Sequence, residues 1–304
     1  MGGWSLSDHK ERGRPRPRRG SRDVRTGPGA APLLDSTDQP TSACHLSADA
    51  LLVVVLTVLG LFAGTGIAQE SESEGQSLGQ AAEDPTASLM SLQIADLYNA
   101  SFYDLPGDES ANTVVLRPVI PFHTGEVSHI FRATIPFLTD HPLLDAGLSD
   151  VTLFDLIVFN EDWGRWGLGP VALLPTGGED RGVNEWALGP AIGFTARQDK
   201  LIWGLFNQNL FNIGGENVNA SVIQPIVNYG LGNGWSVGSS EMSFAWDWEA
   251  DRWSSLPLGA KISKLQKIGD FPVQFSLQYE HDFADETVGP EDTIRFTMKM
   301  LFPK

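Results

Sequence analysis

The sequence predicts an all-β chain, an antiparallel transmembrane β-barrel of about twelve strands that follows a cleaved signal peptide. Three observations predict it. Beyond residue 88, strand-like stretches of about ten residues succeed one another to the end, with no helical period longer than two turns. Many of these stretches are oily on one face and small or polar on the other. The connections between them alternate between short turns and longer acidic loops, and Trp and Tyr gather at strand ends. Composition agrees, since 19% of the 304 residues are charged, and Gly (32), Trp (9) and Phe (16) are plentiful. A typical soluble domain carries roughly 25% charge.

Residues 1–50 form a separate compositional region. The stretch "KERGRPRPRRGSR" is rich in Arg and Pro with nothing to bury, so it reads as disordered or as an extension upstream of the true start. The signal segment follows over 51–68. Its apolar core is shorter than the roughly 18 to 20 residues a spanning helix needs, and Gly66 and Ala68 provide a small-x-small site for cleavage after Ala68. Arg18-Arg19 lies too far upstream to be a twin-arginine signal, and Cys44 precedes the apolar run where a lipid-anchored Cys would follow it.

Cleavage removes eight basic and six acidic residues, taking the formal charge from −17 to −19, and leaves no cysteine. A strongly acidic exported chain excludes nucleic-acid binding, and disulfide or thiolate chemistry is unavailable to it. Residues 69–88, "QESESEGQSLGQAAEDPTAS", read as an acidic flexible linker before a barrel over 89–304.

Within the barrel, "VVLRPVIPF" sets Val114, Leu116, Ile120 and Phe122 opposite Val115, Arg117 and Val119. "IFRATIPF" sets Phe131, Ile135 and Phe137 opposite Arg132 and Thr134, and "EWALGPAIGF" points Trp186, Leu188, Ile192 and Phe194 outward. "FPVQFSLQYE" places Phe275, Leu277 and Tyr279 opposite Gln274, Ser276, Gln278 and Glu280. In the terminal "TIRFTMKMLFPK", Ile294, Phe296, Met298 and Met300 alternate with Arg295, Thr297 and Lys299.

A soluble sandwich and a membrane barrel both produce such alternation. Loop asymmetry favours the barrel: "HTGEV", "EDWGR", "RQDK", "LGNG" and "LQKIGD" are short, whereas "YDLPGDESA", "TDHPLLDAGLS", "PTGGEDRGVN" and "FADETVGPED" are longer. Tyr103, Trp163, Trp166, Trp186, Trp235, Trp246, Trp248 and Trp253 fall where interfacial girdles belong. Pro118, Pro136, Pro170, Pro190, Pro225 and Pro272 cut against it, because a closed barrel has no free edge to receive them.

With these segments in view the chain resembles a family of bacterial outer-membrane barrels related to the MetA-pathway phenol-degradation proteins, labelled transporters and often mislabelled "neuromedin U". The resemblance rests on "RPVIPF" (117–122), "GLGPVALLPT" (167–176), "WALGP" (186–190), "DWEADRWSSLPLG" (247–259), "KISKLQKIGDFPV" (261–273) and the terminal "LFPK". It implies the barrel, the outer membrane of a diderm bacterium and prolines as a family habit. It suggests uptake of small hydrophobic or aromatic compounds, and it brings no catalytic residue.

Read from the residues, Arg117, Arg132, Asp155, Lys261, Glu280, Arg295 and Lys299 are the candidates to line a lumen and set selectivity, or to pair with one another and plug it. Phe296, Met298, Met300 and Phe302 are the candidate assembly signal for the barrel assembly machinery. No metal site is expected: "DWEADRW" and "DFADETVGPED" lack the EF-hand glycine spacing and read as solvated charge. No cofactor is expected either. His123, His129, His141 and His281 have no nucleophile at a recognisable spacing and no Ser lies in the strand-to-helix context of a nucleophile elbow, so an enzyme is not expected. The expectation is a porin-like channel or transporter for a small-molecule solute, surrounded by outer-membrane lipid and lipopolysaccharide. A non-conducting structural or adhesive barrel and a soluble periplasmic β-domain are the alternatives.

Overall fold

The structure, a computed structural model, describes residues 77–178, 180–214, 218–285 and 288–303. The expected extension over 1–50 and the signal segment over 51–68 lie outside the described residues. A six-residue helix, α1 (Leu78–Glu83), precedes a closed antiparallel barrel of 12 strands. These are β1 (Met90–Tyr103), β2 (Ala111–Thr124), β3 (Val127–Asp140), β4 (Val151–Glu161), β5 (Gly164–Leu174) and β6 (Ala187–Gln198). They continue as β7 (Leu201–Asn212), β8 (Asn219–Gly232), β9 (Trp235–Ser239), β10 (Pro257–Ile268), β11 (Phe271–Asp282) and β12 (Gly289–Phe302).

Each strand pairs with the next, and β12 closes on β1 from Met90↔Phe302 to Tyr103↔Gly289. The ninth strand is interrupted. After Ser239 it leaves the ladder and resumes as Phe244–Asp247, which pairs with β8 at Phe244↔Ile223 and with Arg252–Ser255 ahead of β10.

The turns at Thr124–Val127, Glu161–Gly164, Gln198–Leu201, Gly232–Trp235 and Ile268–Phe271 are short and share one end with Met90 and Phe302. At Gly232–Trp235 the central Asn233 and Gly234 have φ of 52° and 78°. Positive φ at both central positions is what a two-residue hairpin requires to match strand twist. The longer loops share the opposite end.

Side chains sort as the period of two dictates. Leu188, Ile192, Trp203, Leu205, Leu277 and Phe296 are exposed on the outer wall. Ile130, Phe154, Leu156, Val158, Val171 and Phe206 form a buried apolar cluster inside. An outer surface this apolar is stable against lipid and costly against water, at about 25 cal/mol per Å². A belt of aromatic rings rims the short-turn end: Phe159 stacks on Trp166 at 4.4 Å, Phe194 meets Trp163 and Trp203 at 6.2 and 5.6 Å, and Lys264 Nζ sits 4.9 Å from the Trp235 ring.

The prolines find edges inside a closed wall. The β2–β3 ladder skips 117–118 at Pro118, β4–β5 skips 169–170 at Pro170, and β6–β7 skips 189–190 at Pro190. Pro225 lies between the two halves of the interrupted strand, Pro136 beyond the last β3–β4 pair, and Pro272 before the first β11–β12 pair. Each proline therefore sits where one flanking ladder is already open, so the missing N–H leaves no ladder partner unpaired.

Candidate functional site: the barrel lumen

The acidic lead-in expected over 69–88 differs at its end. Residues 77–89 fold inside the barrel at the short-turn end. Ser77 and Gln80 form a capping box: Ser77 Oγ accepts from Gln80 N, and Gln80 Oε1 accepts from Ser77 N. The Ala-rich turn that follows is short, because Asp84 precedes Pro85 and that position disfavours helix. Ala81, Ala82, Ala87 and Leu89 are buried against Leu301, with Leu78 and Leu265 alongside. Beside the first turn of α1 a cavity of about 460 Å³, bordered also by Leu78 and Leu265, reaches the wall at Asn228, Ser236 and Gln274.

Two carboxylates fasten this segment. Glu83 Oε2 accepts from Lys261 Nζ at 2.6 Å, and its Oε1 accepts from Gln274 Nε2 at 2.9 Å and Ser236 Oγ at 3.3 Å. Lys299 Nζ donates to Ala82 O at 2.7 Å. Burial alone would raise the Glu83 carboxyl, but the Lys261 and Lys299 ammoniums outweigh it and hold it below the usual carboxylate range. Asp84 Oδ2 accepts from Arg165 Nη1 at 3.0 Å, while its Oδ1 accepts from Thr195 Oγ1 at 2.8 Å and from Thr86.

Above the segment lies a second charged layer. The interruption in the ninth strand turns Glu241 into the lumen, where its Oε2 accepts from Arg117 Nη1 at 2.7 Å and Arg295 Nη1 at 3.0 Å. Gln93 Nε2 donates to Glu241 Oε1, and Gln278 Oε1 accepts from the Glu241 N–H, so neighbouring strands fix the carboxylate. Arg132 lies over the Phe154 ring at 4.1 Å and near Phe206 at 5.5 Å. A cavity of about 160 Å³ opens beside it, bordered by Arg117, Thr134, Gln208, Gln224 and Glu241. Another of about 100 Å³ continues toward α1.

Arg117, Arg132, Lys261, Glu280, Arg295 and Lys299 all project inward, as the alternation predicts, although Lys261 and Lys299 are engaged by residues 82 and 83. Asp155 is a correction. Phe154 and Leu156 are buried inside, so Asp155 between them points outward, where its Oδ2 meets His129 Nδ1 at 2.9 Å beneath the stacked Phe122. Glu83, Asp84, Glu241 and Arg165 were not legible as site residues. Glu83 and Asp84 sit in a stretch that reads as linker, Arg165 in a turn, and Glu241 in "SSEMS", where no alternation marks a face.

Phe296, Met298, Met300 and Phe302 lie on β12, paired on both sides up to Met300, with Phe296 stacked on Phe275 at 6.2 Å. Among the described residues, His281, Glu291 and Asp292 could converge on a metal ion near the long loops. The Asp292 oxygens already accept from Tyr279 at 2.6 Å and Ser101 at 3.2 Å, and one meets His281 Nδ1 at 3.0 Å, which accounts for the cluster without an ion.

No family model and no curated protein matches the chain. Among solved structures it is similar to the COG4313 outer membrane channel from Pseudomonas putida F1, with 14% identity over 70% of this chain and 96% of that one and a TM-score of 0.52. It also aligns with outer membrane phospholipase A from Escherichia coli, with 10% identity over 70% and 92% and a TM-score of 0.38. The Salmonella typhi outer membrane phospholipase dimer gives 8% identity over 76% and 98%, with a TM-score of 0.38. The likeness to the Pseudomonas protein is one of fold.

Proposed function

We propose that this chain is a gated outer-membrane channel or transporter for small molecules, exported through a signal peptide over 51–68 and assembled with its short turns in the periplasm. The observation that carries this reading is the segment 77–89. It lies inside a charged lumen at one end, yet it is a separate piece of chain held by two carboxylates and flanked by a cavity. A barrel built only as a wall has no use for a removable stopper.

The apolar outer wall and its aromatic belt support residence in outer-membrane lipid rather than in periplasmic water. A hydrolase has less support. Among the described residues, His129 and His281 each hydrogen-bond a carboxylate, and neither has a hydroxyl on its other ring nitrogen. The fold it shares with the Pseudomonas channel agrees with a conducting role, as does the family resemblance in its sequence motifs.

Planar-bilayer recording of the refolded chain tests the proposal. We expect small or rare conductance steps that grow when Glu83 and Asp84 are neutralised together. A correctly assembled double variant that stays silent would favour the non-conducting structural barrel. Recovery of the native chain in the periplasmic supernatant would eliminate the membrane reading.

A further inference from the structure

The bonds that dock residues 77–89 fall in two groups. Asp84 meets Arg165 on β5 and Thr195 on β6. Glu83 meets Ser236 on β9, Lys261 on β10 and Gln274 on β11, and Ala82 O accepts from Lys299 on β12. Between the two groups stands β8, whose inner face is bordered by cavities. Val227, Tyr229 and Leu231 are exposed on the outer wall, so the alternation turns Gln224, Ile226, Asn228, Gly230 and Gly232 inward.

This one row of residues borders three cavities in turn. Gln224 touches the mid-lumen cavity of about 160 Å³. Gln224, Ile226 and Asn228 touch the one of about 100 Å³ that follows it, and Asn228, Gly230 and Gly232 touch the one of about 460 Å³ beside α1. Toward the short turns the row loses its side chains, which leaves space between the wall and the helix. Asn228 stands where the second and third cavities meet. It is 4% exposed, and its Nδ2 has no acceptor among the described residues. A buried amide donor left unmatched is costly, and a passing water or anion can accept from it.

The chemistry of the row's far end selects the solute. Around the mid-lumen cavity Arg117, Arg132 and Arg295 face one carboxylate, Glu241, and the other lining side chains are Thr, Gln and Ser. Low-dielectric walls focus such an excess of positive charge and concentrate anions within it. A hydrophobic compound finds no apolar side chain there.

Resting on the channel reading, we propose that the barrel conducts small hydrophilic anions with residues 77–89 still docked, by a side route along the inner face of β8. The three arginines gather the anion, Asn228 donates to it at the narrow middle, and Gly230 and Gly232 leave the passage past α1. The middle cavity of about 100 Å³ holds about three water molecules at roughly 30 Å³ each, so the route suits chloride or formate and holds back bulkier anions.

Planar-bilayer recording tests the route in the full chain with Cys44→Ser, which removes the one cysteine of the sequence. A Cβ at Gly230 would touch nothing nearer than Lys200 O at 3.7 Å, so Gly230→Cys fits the wall. Labelling it with an anionic methanethiosulfonate should cut the small resting step at least fivefold, while the outward-facing Leu231→Cys should keep its step. In a Glu83→Gln, Asp84→Asn barrel, where the segment is released, the same label on Gly230→Cys should remove less than half of the larger step. Equal fractional loss in the two backgrounds would show that current passes only after release, and no loss in a labelled Gly230→Cys barrel would show that it passes elsewhere. Either result overturns the route. The unsubstituted chain gives a reading that needs no variant: its resting step should favour chloride over potassium at least threefold and fall at least threefold when gluconate replaces chloride. Cation preference, or equal current in gluconate, would overturn the proposal even if Gly230→Cys does not assemble. An assembled barrel silent in both backgrounds sinks the channel reading itself, whereas one that conducts only after release keeps the channel and sinks the route.

Discussion

Arg165 Nη1 reaches Asp84 Oδ2 at 3.0 Å with both side chains almost wholly withdrawn from solvent, so a residue beside the 161–164 turn holds the segment docked inside the short-turn end of the barrel. Removing one partner of a buried pair costs about 3 to 5 kcal/mol, because the other charge stays buried. Asp84→Ala should therefore favour release of residues 77–89 by roughly 100-fold or more. Higher open probability in bilayers and faster proteolysis within 77–89 are the expected readouts. Wild-type values for both in an assembled barrel would show that this pair does not hold the stopper.

Glu83 makes the closure sensitive to acid. Its carboxyl is held below the ordinary value of 4.5 by Lys261 and Lys299 when docked, and relaxes toward that value when the segment is free. The docked form binds protons less readily, so docking is fully supported above pH 4.5 and is lost as pH falls through the lower, docked value. Conductance should rise on acidification below that point. Glu83→Gln should open at neutral pH and respond less to acid. A channel that closes further in acid would reverse the expected sign.

The strands whose faces differ sharply were legible. On β11 and β12 the contrast between Leu277 or Phe296 and Gln278 or Arg295 is strong, and the structure keeps those faces. On β4 it is weak, because Phe154, Leu156 and Val158 make the inner face as apolar as the outer one. With no contrast between its faces, nothing in the β4 sequence marks Asp155 as outward-facing. The stopper escaped for a related reason: six helical residues are too few to show a period, and their burial depends on strands far along the chain.

Position on the outer wall gives Asp155 a specific expectation. Asp155→Asn should leave the ion selectivity of the pore unchanged, whereas Arg295→Gln, which removes a partner of Glu241, should shift it toward cations. Reversal potentials under a salt gradient compare the two. A selectivity change in Asp155→Asn equal to that of Arg295→Gln would return Asp155 to the lumen.

Leu277 distinguishes lipid from water as the medium around the wall. It is 53% exposed in the middle of β11, opposite Ile262 on β10. A charged residue on the lipid face near the bilayer midplane costs about 2 to 4 kcal/mol, while an exposed substitution in water usually costs within about 0.5 kcal/mol. Leu277→Arg should therefore lower the stability of the barrel refolded in vesicles by the larger amount. A change within the smaller range would place this face in water.

The closing seam supplies the last expectation. β12 ends at Phe302, which pairs with Met90, and the preceding Leu301 is buried against Ala81 and Ala82 of the stopper. The final residues thus complete the ladder that shuts the barrel, and they stand next to the segment docked inside it. Deleting Phe302 through Lys304 removes the end pair of that ladder and the terminal aromatic together. We expect a lower yield of heat-modifiable barrel in cells and slower closure on refolding in vesicles without assembly factors. A defect confined to cells would assign these residues to recognition by the assembly machinery, because the ladder itself would have closed unaided. A defect in both would assign them to the Met90–Phe302 seam. Normal yield in both would show that neither the seam nor its signal depends on the last three residues, leaving Phe296, Met298 and Met300 as the part of β12 to vary next.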